Sequence, residues 1–88
     1  MSDRLERIRA CLYQALQPVQ LDVEDESHRH AGHEGARDGR GHFRVRIVAA
    51  EFSGMPLIKR HQRVYAALGE QMRTDIHALA LETRAPGE

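Results

Sequence analysis

The stretches His42-Phe43-Arg44-Val45-Arg46-Ile47-Val48-Ala49 and Ile76-His77-Ala78-Leu79-Ala80-Leu81-Glu82-Thr83 decide the fold. In the first, Phe43, Val45 and Ile47 alternate with Arg44 and Arg46, the period-two pattern of a strand with one buried and one wet face. In the second, His77, Leu79 and Leu81 alternate with Ile76, Ala78 and Ala80, which predicts another strand. Between them Gly54-Met55-Pro56 punctuates the chain, and Leu57, His61, Val64, Leu68 and Met72 fall on one helical stripe with Lys59, Arg60, Arg63 and Glu70 outside it. Pro56 suits a first helical turn, so a helix is expected over 56–72, with any break near its start. Strand, helix and strand in that order form a crossover unit, whose two strands should be parallel with a right-handed connection.

Working outward, Leu21 and Val23 alternate with Asp22 and Glu24, which predicts a strand at 20–26 that pairs with 42–49 through the intervening loop. Leu5, Ile8, Leu12, Ala15 and Leu16 recur at helical spacing; Ser2 or Asp3 can cap that helix and Pro18 ends it, giving 3–16. The expected fold class is therefore α/β (α+β), in the order αββαβ, with helices on one face of a three-stranded mixed sheet. Residues 27–41 contain Gly32, Gly35, Gly39 and Gly41 and offer nothing to bury, so they read as a long exposed loop of the length that tends to be functional or mobile.

A chain of 88 residues leaves room for one domain, read here as 1–88. Thirteen Lys+Arg balance thirteen Asp+Glu, so any attraction to a polyanion must be a local patch. Cys11 is the single cysteine, which excludes an internal disulfide and a self-contained cysteine-ligated zinc or iron-sulfur site. No apolar run approaches a membrane span and the N-terminus is charged, so the expected location is the cytoplasm, with no membrane partner. The unusual feature is six histidines, which titrate just below neutral pH.

His28, His30 and His33 lie in the glycine-rich loop and His42 at its far end, a set that could converge on one metal or could each be solvated. His77 opens an otherwise apolar strand, where a histidine is either hydrogen-bonded to backbone or functional. Whether the ends of these strands meet depends on a register that sequence does not fix. His61 falls on an apolar stripe and is expected to be buried and hydrogen-bonded, and Cys11 is expected to be a small packing residue. Lys59, Arg60 and Arg63 form one basic face, and Arg37, Arg40, Arg44 and Arg46 a second that the acidic run Asp22-Glu24-Asp25-Glu26 would weaken. Gly32-His33-Glu34-Gly35 matches a GxxG string, but joins strands rather than helices and carries an acid. The chain shows no elbow serine, phosphate loop, dinucleotide fingerprint or carboxylate pair in an apolar setting, so it is read as a non-enzyme.

The strings Asp25-Glu26-Ser27-His28-Arg29-His30-Ala31-Gly32-His33, Gly41-His42-Phe43-Arg44-Val45, Arg60-His61-Gln62-Arg63-Val64-Tyr65 and Ile76-His77-Ala78-Leu79-Ala80 closely resemble the BolA family, in order and with its spacing from about residue 3 to residue 86. The resemblance implies a type II KH-like topology. It also implies a partner role: BolA-like proteins pair with monothiol glutaredoxins and share a bridging 2Fe-2S cluster, with glutathione as a further ligand, in iron-sulfur trafficking or iron and redox regulation. By the same resemblance His77 matches the family's cluster ligand, and the second comes from the loop, with His30 at that position and His42 as competitor. Two imidazoles on one iron would give Rieske-like ligation, with a raised potential and sensitivity to protonation. The basic faces would then help to dock the glutaredoxin and the glutathione carboxylates. The expected state alone is a monomer or weak homodimer.

Two rival readings come from other classes. One is a DNA-binding transcriptional regulator of stress and morphology, also attributed to BolA-like proteins, contacting DNA through Lys59, Arg60 and Arg63. The other is a histidine-rich metal buffer acting alone.

Overall fold

The computed structural model describes residues 3–26, 41–74 and 76–88. The elements are α1 (Asp3–Leu16), β1 (Gln20–Asp25), β2 (Gly41–Val48), a short 3-10 helix (Ala50–Phe52), α2 (Leu57–Leu68), α3 (Gln71–Thr74) and β3 (Ile76–Arg84). The strands form one sheet in the order β1-β2-β3. β1 runs antiparallel to β2, and β3 runs parallel to β2, as a crossover unit requires. The expected loop over 27–41 lies outside the described residues apart from Gly41, which begins β2.

One face of the sheet carries the core. Leu21, Phe43, Val45 and Ile47 are buried there against Ile8, Leu12 and Leu16 of α1 and Val64 and Leu68 of α2. These are the period-two and period-four apolar positions of the sequence, and burying each such side chain removes about 1.5–3 kcal/mol worth of apolar surface from water. α1 stops where Gln17 takes a left-handed conformation (φ 48) ahead of Pro18, with the Gln17 N–H donating to the Tyr13 carbonyl. Ala15, expected on the buried stripe, is exposed.

The second helix departs from expectation. It starts at Leu57 and breaks at its end, not its start: Gly69 takes φ 56, its N–H donates to the Tyr65 carbonyl, and a separate turn, α3, follows. Glycine ends a helix this way because the conformation is costly for any residue with a Cβ. The inward side is also rotated. Leu57 is 61% exposed, His61 is half-buried rather than buried, and Arg60 joins Val64 and Leu68 on the inward side. The 3-10 turn that seats the fully buried Phe52 was not anticipated; its signal, Ala49-Ala50-Glu51-Phe52, is too short to show a period.

Candidate functional site

The register of β2 and β3 places the two ends of interest side by side. Gly41 pairs with Ile76 and His42 with Ala78, so His77 is the extra residue of a bulge between those pairs. Beyond it the partners advance evenly, Phe43 with Leu79 and Val45 with Leu81. Alternation alone would put Ile76 on the face opposite Leu79 and Leu81, yet Ile76 is 1% exposed and belongs to the core. The bulge is the reason: one unpaired residue reverses the alternation on either side of it. His77 therefore sits at the switch point, next to Gly41 and His42 on the neighbouring strand.

His42 alternates with Phe43 and shares the outward side of the sheet with Arg44 and Arg46, but is only 9% exposed. Glu26 extends β1 by one residue: its N–H donates to the His42 carbonyl at 2.7 Å, and it is itself 8% exposed. Arg44 Nε donates to Glu26 Oε2 at 3.0 Å. That hydrogen bond, and then the charge of Glu26, hold the Arg44 guanidinium above its ordinary value against the opposing effect of burial. Glu26 thus weakens the second basic face at Arg44, as the sequence suggested, while Arg37 and Arg40 lie outside the described residues. Described residues lining a depression of about 260 Å³ at this end of the sheet include Glu26, His42, Phe43, Ala78, Leu79 and Ala80.

His30, with His28 and His33, lies outside the described residues. His61 stands on α2 in the helical layer, away from the outward face. Cys11 also belongs to the helical layer, half-buried against the core, with Gln71 Nε2 donating to its Sγ at 3.2 Å. Among the described residues no three His, Cys, Asp or Glu side chains converge to hold a metal. At the bulge the chain places His42 of β2 beside position 77 of β3, and neither strand carries a cysteine. The single cysteine of the chain does not suit a cysteine-ligated cluster held by this chain alone.

The basic face of α2 divides. Arg60 points inward: Nε donates to the Met55 carbonyl at 2.7 Å, Nη1 and Nη2 fork onto Glu88 Oε1 and Oε2 at 2.6 and 2.7 Å, and the guanidinium lies 6.0 Å from the Phe52 ring centre. Arg63 pairs with Glu51 and donates to the Ala15 carbonyl at 3.1 Å. Of the three cations expected to form a nucleic-acid face, two are therefore engaged in holding elements together, and Lys59 stands exposed at the helix start. No local pattern announced Arg60's role, because Glu88 lies 28 residues away.

The family model described as BolA-like protein matches residues 12–88. The chain belongs to the BolA-like family. Within it, this BolA-like chain is 43% identical over its whole length to the chloroplastic protein BOLA1 of Arabidopsis thaliana, of which it spans 57%. It is 44% identical over 89% of its length to the DNA-binding transcriptional regulator BolA of Escherichia coli (strain K12), covering 71% of that protein. The solved BolA domain of SufE1 from Arabidopsis thaliana superposes with a TM-score of 0.85 at 40% identity, over 98% of this chain and 95% of that one. The α+β architecture expected from the BolA resemblance is the one found. No helix among the described residues is long and apolar enough to cross a membrane.

Proposed function

We propose that this BolA-like protein is the partner of a monothiol glutaredoxin, completing the coordination of a bridging 2Fe-2S cluster through His77 and a second imidazole, and that it acts in iron-sulfur trafficking or iron and redox regulation in the cytoplasm. The observation that carries this reading is the register: His42 opens β2 beside the bulge residue His77, at the end of the sheet from which the histidine-bearing segment departs. The second imidazole is His30, at the position that the resemblance gives, or His42, beside the bulge. The glutaredoxin cysteine and glutathione would supply the thiolates that this chain lacks. The cluster supplies one-electron chemistry, and the chain's contribution is imidazole ligation, which raises the potential and makes release sensitive to acid.

The test is to mix the protein with a monothiol glutaredoxin, glutathione, iron and sulfide and to record visible absorption and circular dichroism. A heterodimer is expected whose spectrum differs from that of the glutaredoxin homodimer and changes on His77→Ala. An unaltered spectrum with His77→Ala would overturn the assignment. A second reading, a DNA-binding regulator, is favoured by the name of the Escherichia coli relative. With Arg60 and Arg63 engaged, it would rest on Lys59 and neighbouring α2 residues. It requires an affinity that falls steeply with salt and with Lys59→Glu.

A further inference from the structure

The guanidinium of Arg60 is fixed independently of the carboxylate it holds. Its Nε donates to the Met55 carbonyl at 2.7 Å, the group lies 6.0 Å from the Phe52 ring centre, and Nη1 reaches the Thr83 carbonyl at 3.5 Å. None of these three contacts involves Glu88, so the fork keeps its direction when that residue is withdrawn. Nη1, Nη2 and the Ala85 N–H then converge on the one carboxylate of Glu88, at 2.6, 2.7 and 3.1 Å. A guanidinium fork with a backbone amide beside it is an arrangement suited to recognising a carboxylate.

The occupant is held less firmly than the fork. The Arg60 side chain is 11% exposed and that of Glu88 43%, so the fork opens toward solvent on the side that Glu88 covers. Glu88 follows a turn at Pro86 and Gly87, where Gly87 takes φ 88, and the Glu88 N–H donates to the Ala85 carbonyl to close it. Withdrawing Glu88 gives up that turn and breaks no strand pairing, because β3 ends at Arg84. The closed form also leaves two neighbours unsatisfied. Leu57, one helical turn before Arg60 on α2 and therefore adjoining it, is exposed. Thr83, whose carbonyl Arg60 reaches, is 7% exposed, and its Oγ1 has no hydrogen-bond partner among the described residues, which is costly for a buried hydroxyl.

We infer that the Arg60 fork is a carboxylate-binding site closed in cis by Glu88, and that its ligand in trans is an acidic peptide segment of a partner protein. A glutamate of that segment replaces the Glu88 carboxylate, and an apolar residue next to it covers Leu57. The chemistry of the ligand is read from the residue already in the site. What selects a peptide over a free carboxylate is Leu57: Glu88 leaves that side chain in water, and a segment that covers it gains what the tethered carboxylate lacks. The exchange trades an internal ion pair for an external one, so Arg60 is never left buried and unpaired. The inference is independent of the cluster reading, whose strand histidines stand at the opposite end of β3.

The test titrates the blocked peptide acetyl-Gly-Leu-Glu-Leu-Gly-amide, and the same peptide with glutamine in place of glutamate, into the parent protein and into Glu88→Ala. Binding is followed by the NMR signals of the Arg60 Nε–H and the Ala85 N–H, with far-UV circular dichroism to confirm the fold. The closed form is the resident one, so opening the site should strengthen binding of the glutamate peptide by about tenfold or more, and the glutamine peptide should bind neither protein. Leu57→Ser added to Glu88→Ala should weaken the glutamate peptide by about threefold or more and leave the affinity for acetate unchanged. Equal affinity of the parent and Glu88→Ala for the glutamate peptide overturns the inference, as does a Glu88→Ala protein that binds none of it at millimolar concentration. Acetate that binds Glu88→Ala as tightly as the peptide does overturns the peptide as ligand. A concentration-dependent dimer of the parent that is lost in Glu88→Ala would assign the fork to a second copy and overturn the partner protein. Should Glu88→Ala lose the native circular dichroism, Glu88→Gln, which keeps one acceptor for the fork, takes its place under the same criteria.

Discussion

The guanidinium of Arg60 reaches the Met55 carbonyl, Thr83's carbonyl at 3.5 Å and both carboxylate oxygens of Glu88, whose Oε1 also accepts the Ala85 N–H. The hydrogen bond from Arg60, then that from Ala85, lower the Glu88 carboxyl from 4.5 to about 2; burial opposes this, and the charges of Arg60 and Arg84 add to it. A carboxyl whose folded value is lowered stabilises the fold where it is ionised. Its contribution is complete above the unfolded value near 4.5 and is lost as pH falls toward about 2. Urea midpoints of the parent and Glu88→Gln should therefore differ at pH 7 and converge between about pH 5 and pH 2. Arg60→Lys keeps the charge but not the fork, so it too should lower the midpoint at pH 7. At the imidazoles, one of His30→Ala and His42→Ala should change the visible circular dichroism of the heterodimeric cluster as His77→Ala does, and the variant that does so identifies the second ligand; no change in either would overturn a histidine as second ligand. Sequence could nominate these histidines, but which strand positions are neighbours is a long-range fact. Only the pairing of Gly41 with Ile76 and His42 with Ala78 supplied it.

At the scale of elements, strands and helices with a clean period were legible and their joints were not. α1 and the three strands lie within a residue or so of where alternation and Pro18 put them, because burial on one face demands that pattern. The break between α2 and α3 was displaced from the start of the helix to Gly69, where φ 56 and ψ −125 suit glycine alone. An added Cβ there would meet nothing closer than the Ala66 carbonyl at 4.0 Å, so the cost of Gly69→Ala is conformational. It should be about 1–3 kcal/mol, measured as a loss of unfolding free energy with the native circular dichroism retained. Phe52 carries the short 3-10 turn into the core at zero exposure, and Phe52→Ala should cost about 3–5 kcal/mol by the same measurement. That is a larger loss than the Gly69 variant, although periodicity showed neither the turn that holds Phe52 nor the break at Gly69.

For the whole molecule, the sheet divides the chain's work between its faces. The helical side buries Ile8, Leu12, Phe43, Val45, Ile47 and Val64 in one cluster, and the other side presents a balanced charge lattice that gives way to alanine and histidine at one end. Cys11 belongs to the first side, which is consistent with a chain that brings imidazoles rather than thiolates to any shared cluster. What the sequence by itself determined was the order of the main helices and strands, the face that β1 and β2 bury, and the family, because local periodicity and motif spacing are properties of consecutive residues. Only the tertiary structure decided that Ile76 joins the core, that Arg60 turns inward to Glu88, and that His42 stands beside Ala78 at a bulge. Each of those depends on a bulge or a contact between residues far apart in the chain, and the free energy that selects it comes from packing and pairing across the sheet rather than from any local preference.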